Sequence, residues 1–387
     1  MKRSEDCILT SHTGSLPRPK ALVDLFARRA HGEAIDEAAL EAEIEAATRW
    51  VVPKQIEAGI DIPNNGEQPR ESFFLYAQRR MSGFGPGGSR RGPRDVERYP
   101  GYLAMRQRIL QSQQAVSSFE VPSVVGPVRY LDPAAIEREC QDFRRVLDEA
   151  APGVVDAFVT APSPGIIAAA VPDQHYGDQE AYIGALAEAL RTEYEAIARH
   201  GFVLQIDCPD LALERHVSYA ERPLADFLAF VERVIAAINH ALANVPREQV
   251  RLHVCWGNYE GPHDLDVALE EILSRVLQAN VGAIMLPFAN PRHAHETRLF
   301  SGDRLAPDQL LVAGVIDTTT NYVEHPEVVA QRIERAVEAV GDPRRVIAGT
   351  DCGFDTSAGM GRVAEDVVWA KLAALAAGAQ LASERLF

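Results

Sequence analysis

The chain has 387 residues, 47% of them hydrophobic and 24% charged, an ordinary globular balance with enough apolar side chain for a large core. Its formal net charge of −16 would repel phosphates, which argues against a nucleic-acid or anionic-membrane partner, and no apolar run reaches the ~18 residues a membrane helix needs. Five widely spaced cysteines do not make a disulfide framework. With an N-terminus that leads into no apolar segment, they point to a soluble protein of the cytoplasm.

Short apolar and β-branched runs alternate with long amphipathic stretches. Strands are expected at 8–11, 59–64, 154–160, 202–207, 250–255, 281–286, 311–316 and 345–350, and helices at 180–200, 224–243 and 326–340 among others. The last helix places Val328, Val329, Ile333, Val337 and Val340 at spacings near one turn, a stripe for burial. Eight strands separated by helices predict an α/β fold, a (β/α)8 TIM barrel formed by residues 1–387 as one domain; a doubly wound open sheet is the competing layout. The Gly-, Pro- and Arg-rich stretch 81–102 reads as a long loop, and 121–130 as a strand pair or extended excursion. Both belong to an insertion between the second and third barrel strands. Gly83–Gly88 matches GxGxxG by letters alone and reads as a flexible loop, while the run Arg90-Arg91-Gly92-Pro93-Arg94 reads as a solvated one.

Several expected strands end in polar clusters, where a barrel builds its active site. His253 and Cys255 stand two apart at one strand end and so point to the same side. Cys352 follows another strand end. Two thiolates and an imidazole suit zinc, although a buried histidine with two structural cysteines matches the spacing equally well. Glu67 and Asp207, also at strand ends, are placed either to hold a substrate amine or move a proton, or to cap a loop. The turn Ser11–Arg18 offers backbone N–H groups, hydroxyls and a guanidinium to a carboxylate or sulfonate, or is simply a Gly/Pro turn. The run Pro291-Arg292-His293-Ala294-His295-Glu296 has metal-binding residue types but reads first as a polar loop. His175 and Tyr176 carry a weaker signal, and Trp256 reads as packing. Walker-type and GxSxG motifs are absent.

Six motifs in order, SHTGSLPRP, NNGEQPRESFF, LQIDCPDLAL, LHVCWGNYEGPH, ANPRHAHE and GTDCGFDT, give a resemblance from about Leu9 to the end. The chain resembles the catalytic C-terminal barrel of cobalamin-independent methionine synthase, and more closely its shorter single-barrel paralogues. The resemblance implies a zinc-dependent S-methyltransferase or alkyltransferase of methionine biosynthesis. Its Zn2+ would be held by His253, Cys255 and Cys352. A small thiol, homocysteine or a similar one, would have its amine met by Glu67 and Asp207 and its carboxylate by the turn containing Ser15. It would then attack the carbon of an alkyl donor, a folate or another electrophile. Two departures stand out. Pro287 occupies the place of the family's fourth ligand, a Glu, and the stretch 317–321 lacks the His associated with folate protonation. Epoxyalkane:coenzyme M transferase, a related single-barrel enzyme that opens epoxides with a zinc-bound thiol and no folate, is therefore a second expectation. A non-catalytic zinc- or ligand-binding paralogue is a third, and a homo-oligomer is compatible with all three.

Overall fold

The computed structural model describes residues 1–111, 115–117 and 120–387. Its strands are β1 (Phe84–Ser89), β2 (Glu120–Val124), β3 (Phe158–Pro162), β4 (Val203–Asp207), β5 (Val250–His253), β6 (Ala283–Pro287), β7 (Leu310–Ile316) and β8 (Val346–Thr350). The last six form one parallel sheet in sequence order. Every residue in them is buried, as expected of parallel strands covered on both faces. Helices follow the strands, including Gln179–Arg199, Leu224–Ala241 and Pro326–Val340. In the last of these Val329, Ile333 and Val337 are buried as expected, but Val328 faces outward.

The strands expected at 8–11 and 59–64 are reduced to single bridges, Thr10 with Ala348 and Ser11 with Ile62. On one side the Ser11 N–H donates to the Ala348 carbonyl at 2.8 Å. On the other, the Ile62 N–H donates to the Thr10 carbonyl at 3.0 Å and the Phe158 N–H to the Pro63 carbonyl at 3.1 Å. The ladder is short because side chains take its donors. The Thr10 N–H donates to Asp61 Oδ2 at 2.8 Å, the Asp61 N–H to Thr10 Oγ1 at 3.0 Å, and Pro63 has no N–H to offer. The strand expected from 154 begins only at Phe158; before it the Ala157 N–H is taken by Asp156 Oδ1 at 3.0 Å rather than by a neighbouring strand.

The stretch 81–102 is not a loop. It holds β1, the short helix Arg94–Glu97 and the start of the helix Pro100–Gln111. Gly83–Gly88, expected to be flexible, lies largely within β1, which pairs antiparallel with β2. Composition hides this strand because its glycines serve close approach: a Cβ on Gly88 would lie 2.1 Å from the Pro122 carbonyl oxygen.

The apolar core divides in two. A large cluster lies between sheet and helices. A small one gathers Leu9, Ile62, Phe158, Val203, Met285, Val312 and Ile347, drawn from the 8–11 and 59–64 segments and from β3, β4, β6, β7 and β8. β5 adds Arg251 instead, fully buried, with its guanidinium 3.8 Å over the Phe158 ring.

Candidate active site

Consecutive positions on β4 and β5 that share a face carry the centre of the site. Arg251 Nε donates to Gln205 Oε1 at 2.8 Å. The Gln205 amide in turn donates to Asp207 Oδ1 at 2.7 Å and to the Thr13 carbonyl. His253 Nδ1 donates to the same Asp207 oxygen at 2.9 Å, which leaves Nε2 as the open nitrogen. Nε2 is buried without a hydrogen-bond partner. Beside it lie the thiols of Cys255 and Cys352; the ligand-type atoms of the three residues are within 4.8 Å of one another, and all three side chains are buried. Burial acts to lower the His253 pKa, but the Cys255 thiolate and Asp207 override it and raise it to about 10. The Cys352 thiol donates to Cys255 and holds it well below the usual thiol range. Cys352 is itself pushed up by that bond and by burial. Without a metal, then, protons occupy a compact nest of soft donors. An orphaned imidazole nitrogen with two thiols fits a zinc ion.

Glu67 is the second focus. Its backbone is left-handed at φ 56°, a conformation that costs about 1–3 kcal/mol and persists only where neighbours impose it. Here the Glu67 N–H donates to Asn65 Oδ1 at 3.0 Å, while its carbonyl accepts from Arg18 at 3.0 Å and from the Arg70 N–H at 3.1 Å. Thr160 Oγ1 donates to Glu67 Oε1 at 2.9 Å; Oε2 is buried and unpartnered. Burial and repulsion from Asp207 raise its pKa to about 7 against the pull of Arg70 and Arg18. Gly14, at φ 139°, lets the chain pass this carboxylate, since a Cβ there would lie 2.9 Å from Oε1. Ser15 Oγ is likewise buried and unpartnered.

Ser15, Glu67, Asp207, His253, Cys255 and Cys352 all line one cavity of about 140 Å3. Other sequence candidates fall elsewhere. Arg18 is committed to Asp355 at 2.9 Å and offers no free fork. His293 spends both ring nitrogens, on Asp266 at 2.8 Å and Glu296 at 2.7 Å, and stacks on Trp256 at 3.9 Å, so the 291–296 run is structural and Trp256 packs. His295 and His175 are exposed. Pro287 ends β6, and Asp317 folds its own loop by accepting from the Thr319 and Thr320 N–H groups at 2.8 Å each. Gln205, Arg251 and Thr160 were missed from sequence. Their signal is a polar residue inside an apolar strand, and for the first two a position two residues before a site residue.

The family described as "Cobalamin-independent synthase, Catalytic domain" matches residues 87–371. A methionine synthase of Pyrococcus furiosus is 27% identical over 346 residues, covering 89% of this chain and 86% of its own. One from Saccharolobus solfataricus is 23% identical, covering 97% and 95%. The structure of a B12-independent methionine synthase from Shewanella sp. W3-18-1 with selenomethionine superposes with a TM-score of 0.70 at 23% identity, over 98% of this chain and 99% of that one, a likeness of fold.

Proposed function

The chain belongs to the catalytic-domain family of cobalamin-independent synthases, and from that premise we propose that it is a zinc-dependent alkyltransferase. Its reaction moves a methyl or similar alkyl group onto the thiol of homocysteine or a close analogue. The observation that carries this reading is the orphaned His253 Nε2, turned to two buried thiols by the Asp207 bond at its other nitrogen. His253, Cys255 and Cys352 would hold the ion. Zinc in such a site supplies a Lewis acid that lets a substrate thiol ionise at neutral pH.

The chain's own residues do the rest. Asp207 keeps the imidazole in the tautomer that leaves Nε2 free, and the Gln205–Arg251 pair holds Asp207 in place. Glu67 Oε2 accepts the substrate ammonium, with Thr160 fixing the other oxygen. The Ser15 hydroxyl and its turn take the substrate carboxylate. The ring of bridges from β8 through residues 9–11 and 62–63 to β3, filled by the small apolar cluster, supports a closed eight-stranded barrel in which 64–157 carries the insertion. We take residues 1–387 as one domain working in the cytoplasm.

Epoxide opening by a thiol is the second reading. It is favoured by Pro287 and by the loop 317–321, which presents Thr318 rather than an imidazole to the cavity. The open oxygen of Glu67 favours an amino-acid thiol instead. Metal analysis and thiol titration test both. Purified protein should carry about one zinc per chain, and His253→Ala and Cys352→Ser should lose it. Full retention in both variants sinks the metal assignment. Proton release on adding homocysteine supports the first reading, and a response only to a sulfonated thiol replaces it with the second.

A further inference from the structure

The basic run expected to be a solvated loop lies on the wall of the same cavity. Arg90 and Arg91 line it, joined by Arg106 from the helix Pro100–Gln111 and by Arg362 from beyond β8. Glu214 takes up Arg90 at 2.7 Å. Among the described residues, no carboxylate forms an ion pair with Arg91, Arg106 or Arg362. Arg106 is half-buried, its Nε has no hydrogen-bond partner, and its guanidinium sits 5.5 Å over the Tyr259 ring. Burial, and then the neighbouring Arg362 charge, lower its pKa. Acidic residues outnumber basic ones 55 to 39 in this chain, so three arginines without an ion-pair partner on the wall of one cavity are a local exception. Like charges partly withdrawn from water repel unless an anion joins them.

We propose that this arginine rim seats an anionic group (a carboxylate, sulfonate or phosphate) carried by the alkyl donor. The inference rests on the reading of the cavity as an alkyl-transfer site. The anion belongs to the donor because the buried end, with the carboxylates of Glu67 and Asp207, suits an amine-bearing thiol. Arg91 is exposed whereas Glu67 and Asp207 are buried, so the arginines mark the solvent-facing part of the lining, where a second substrate enters.

Inorganic pyrophosphate is the probe, and phenylglyoxal modification read peptide by peptide is the assay. Pyrophosphate should slow modification of Arg91, Arg106 and Arg362 several-fold relative to Arg298, which is exposed and away from the cavity. The double variant Arg106→Gln/Arg362→Gln should bind pyrophosphate at least about 10-fold more weakly while retaining its zinc, the loss expected on removing charge-assisted contacts. Homocysteine should leave the protection unchanged. Equal protection of Arg298, or undiminished binding by the double variant, overturns the proposal. Displacement of pyrophosphate by 2-mercaptoethanesulfonate also overturns it, because the anion would then belong to the thiol. Zinc content reports on the metal reading and arginine protection on this one, so the two can fail separately.

Discussion

Glu67 holds one carboxylate oxygen on Thr160 and leaves the other buried and open, in a backbone conformation that neighbours must impose. Such a group favours its neutral form until a cation arrives. Its pKa, raised to about 7 against an unfolded value near 4.5, means that the folded chain takes up a proton as pH falls through 7. This residue's contribution to stability declines as pH rises from about 4.5 to 7, because ionisation is resisted only in the folded state. For binding the sign is opposite, since an ammonium pairs with the carboxylate. Homocysteine affinity should therefore climb as pH passes upward through 7. Glu67→Gln should weaken it by about 10–100-fold, the value of a charge-assisted bond, and flatten that climb. Calorimetric titration of the zinc-loaded protein across this range checks both; an unchanged slope in the variant would remove Glu67 from substrate binding.

The loops that follow β5 and β6 are joined by a buried knot of ion pairs. His263 faces Asp266 at 3.1 Å through Nδ1 and the Tyr259 carbonyl at 2.9 Å through Nε2. Both partners are acceptors, so the ring must carry two protons to make both bonds. His293, between Asp266 and Glu296, is placed alike. Burial acts to lower both pKa values, but the bonds to Asp266 outweigh it and raise them. Histidines raised above an unfolded value near 6.5 stabilise fully below that pH and lose the contribution as pH climbs through the folded values. Thermal stability should accordingly fall as pH is raised above about 6.5. Asp266→Asn should lower stability on the order of 3 kcal/mol at pH 6, as expected on removing the shared partner of buried charges, and should flatten that pH slope. Melting curves at pH 6 and pH 9 decide it: parallel shifts in wild type and variant would mean that the knot does not titrate. Trp256, stacked on His293, gives a local fluorescence signal for the same event.

Across the whole molecule the proposed ligands tie β5 to β8, about a hundred residues apart in sequence, and Asp351 beside them accepts from the Ala289 and Asn290 N–H groups at 2.9 and 2.7 Å. A metal that binds only the folded chain adds RT ln(1 + [L]/Kd), roughly 2.7 kcal/mol at a hundredfold excess over Kd. Chelation should lower the melting temperature of the wild type and leave that of Cys352→Ser unmoved. Calorimetry with and without chelator checks this, and equal shifts in both would place the stabilising metal elsewhere.

The parallel sheet, the long helices and the polar clusters at strand ends could be read from the residues alone, because strand and helix periods are local and a polar residue closing an apolar run is visible without a partner. The placing of His253, Cys255, Cys352, Glu67, Asp207 and Ser15 at strand ends was legible in that way, whereas their reading as one site came from the resemblance carried by the six motifs. Their convergence on one cavity was not legible, since it depends on which strand ends meet. β2 falls in the extended stretch expected at 121–130, but β1 escaped because glycine and proline disguise a strand whose pairing partner lies some thirty residues on. That Asp207 orients His253, that Arg251 and Gln205 brace it from within the sheet, and that part of a basic run expected in solvent lines the cavity emerged with the folded chain. Each is a contact between distant segments, and a charge acquires its meaning from the groups that burial places around it.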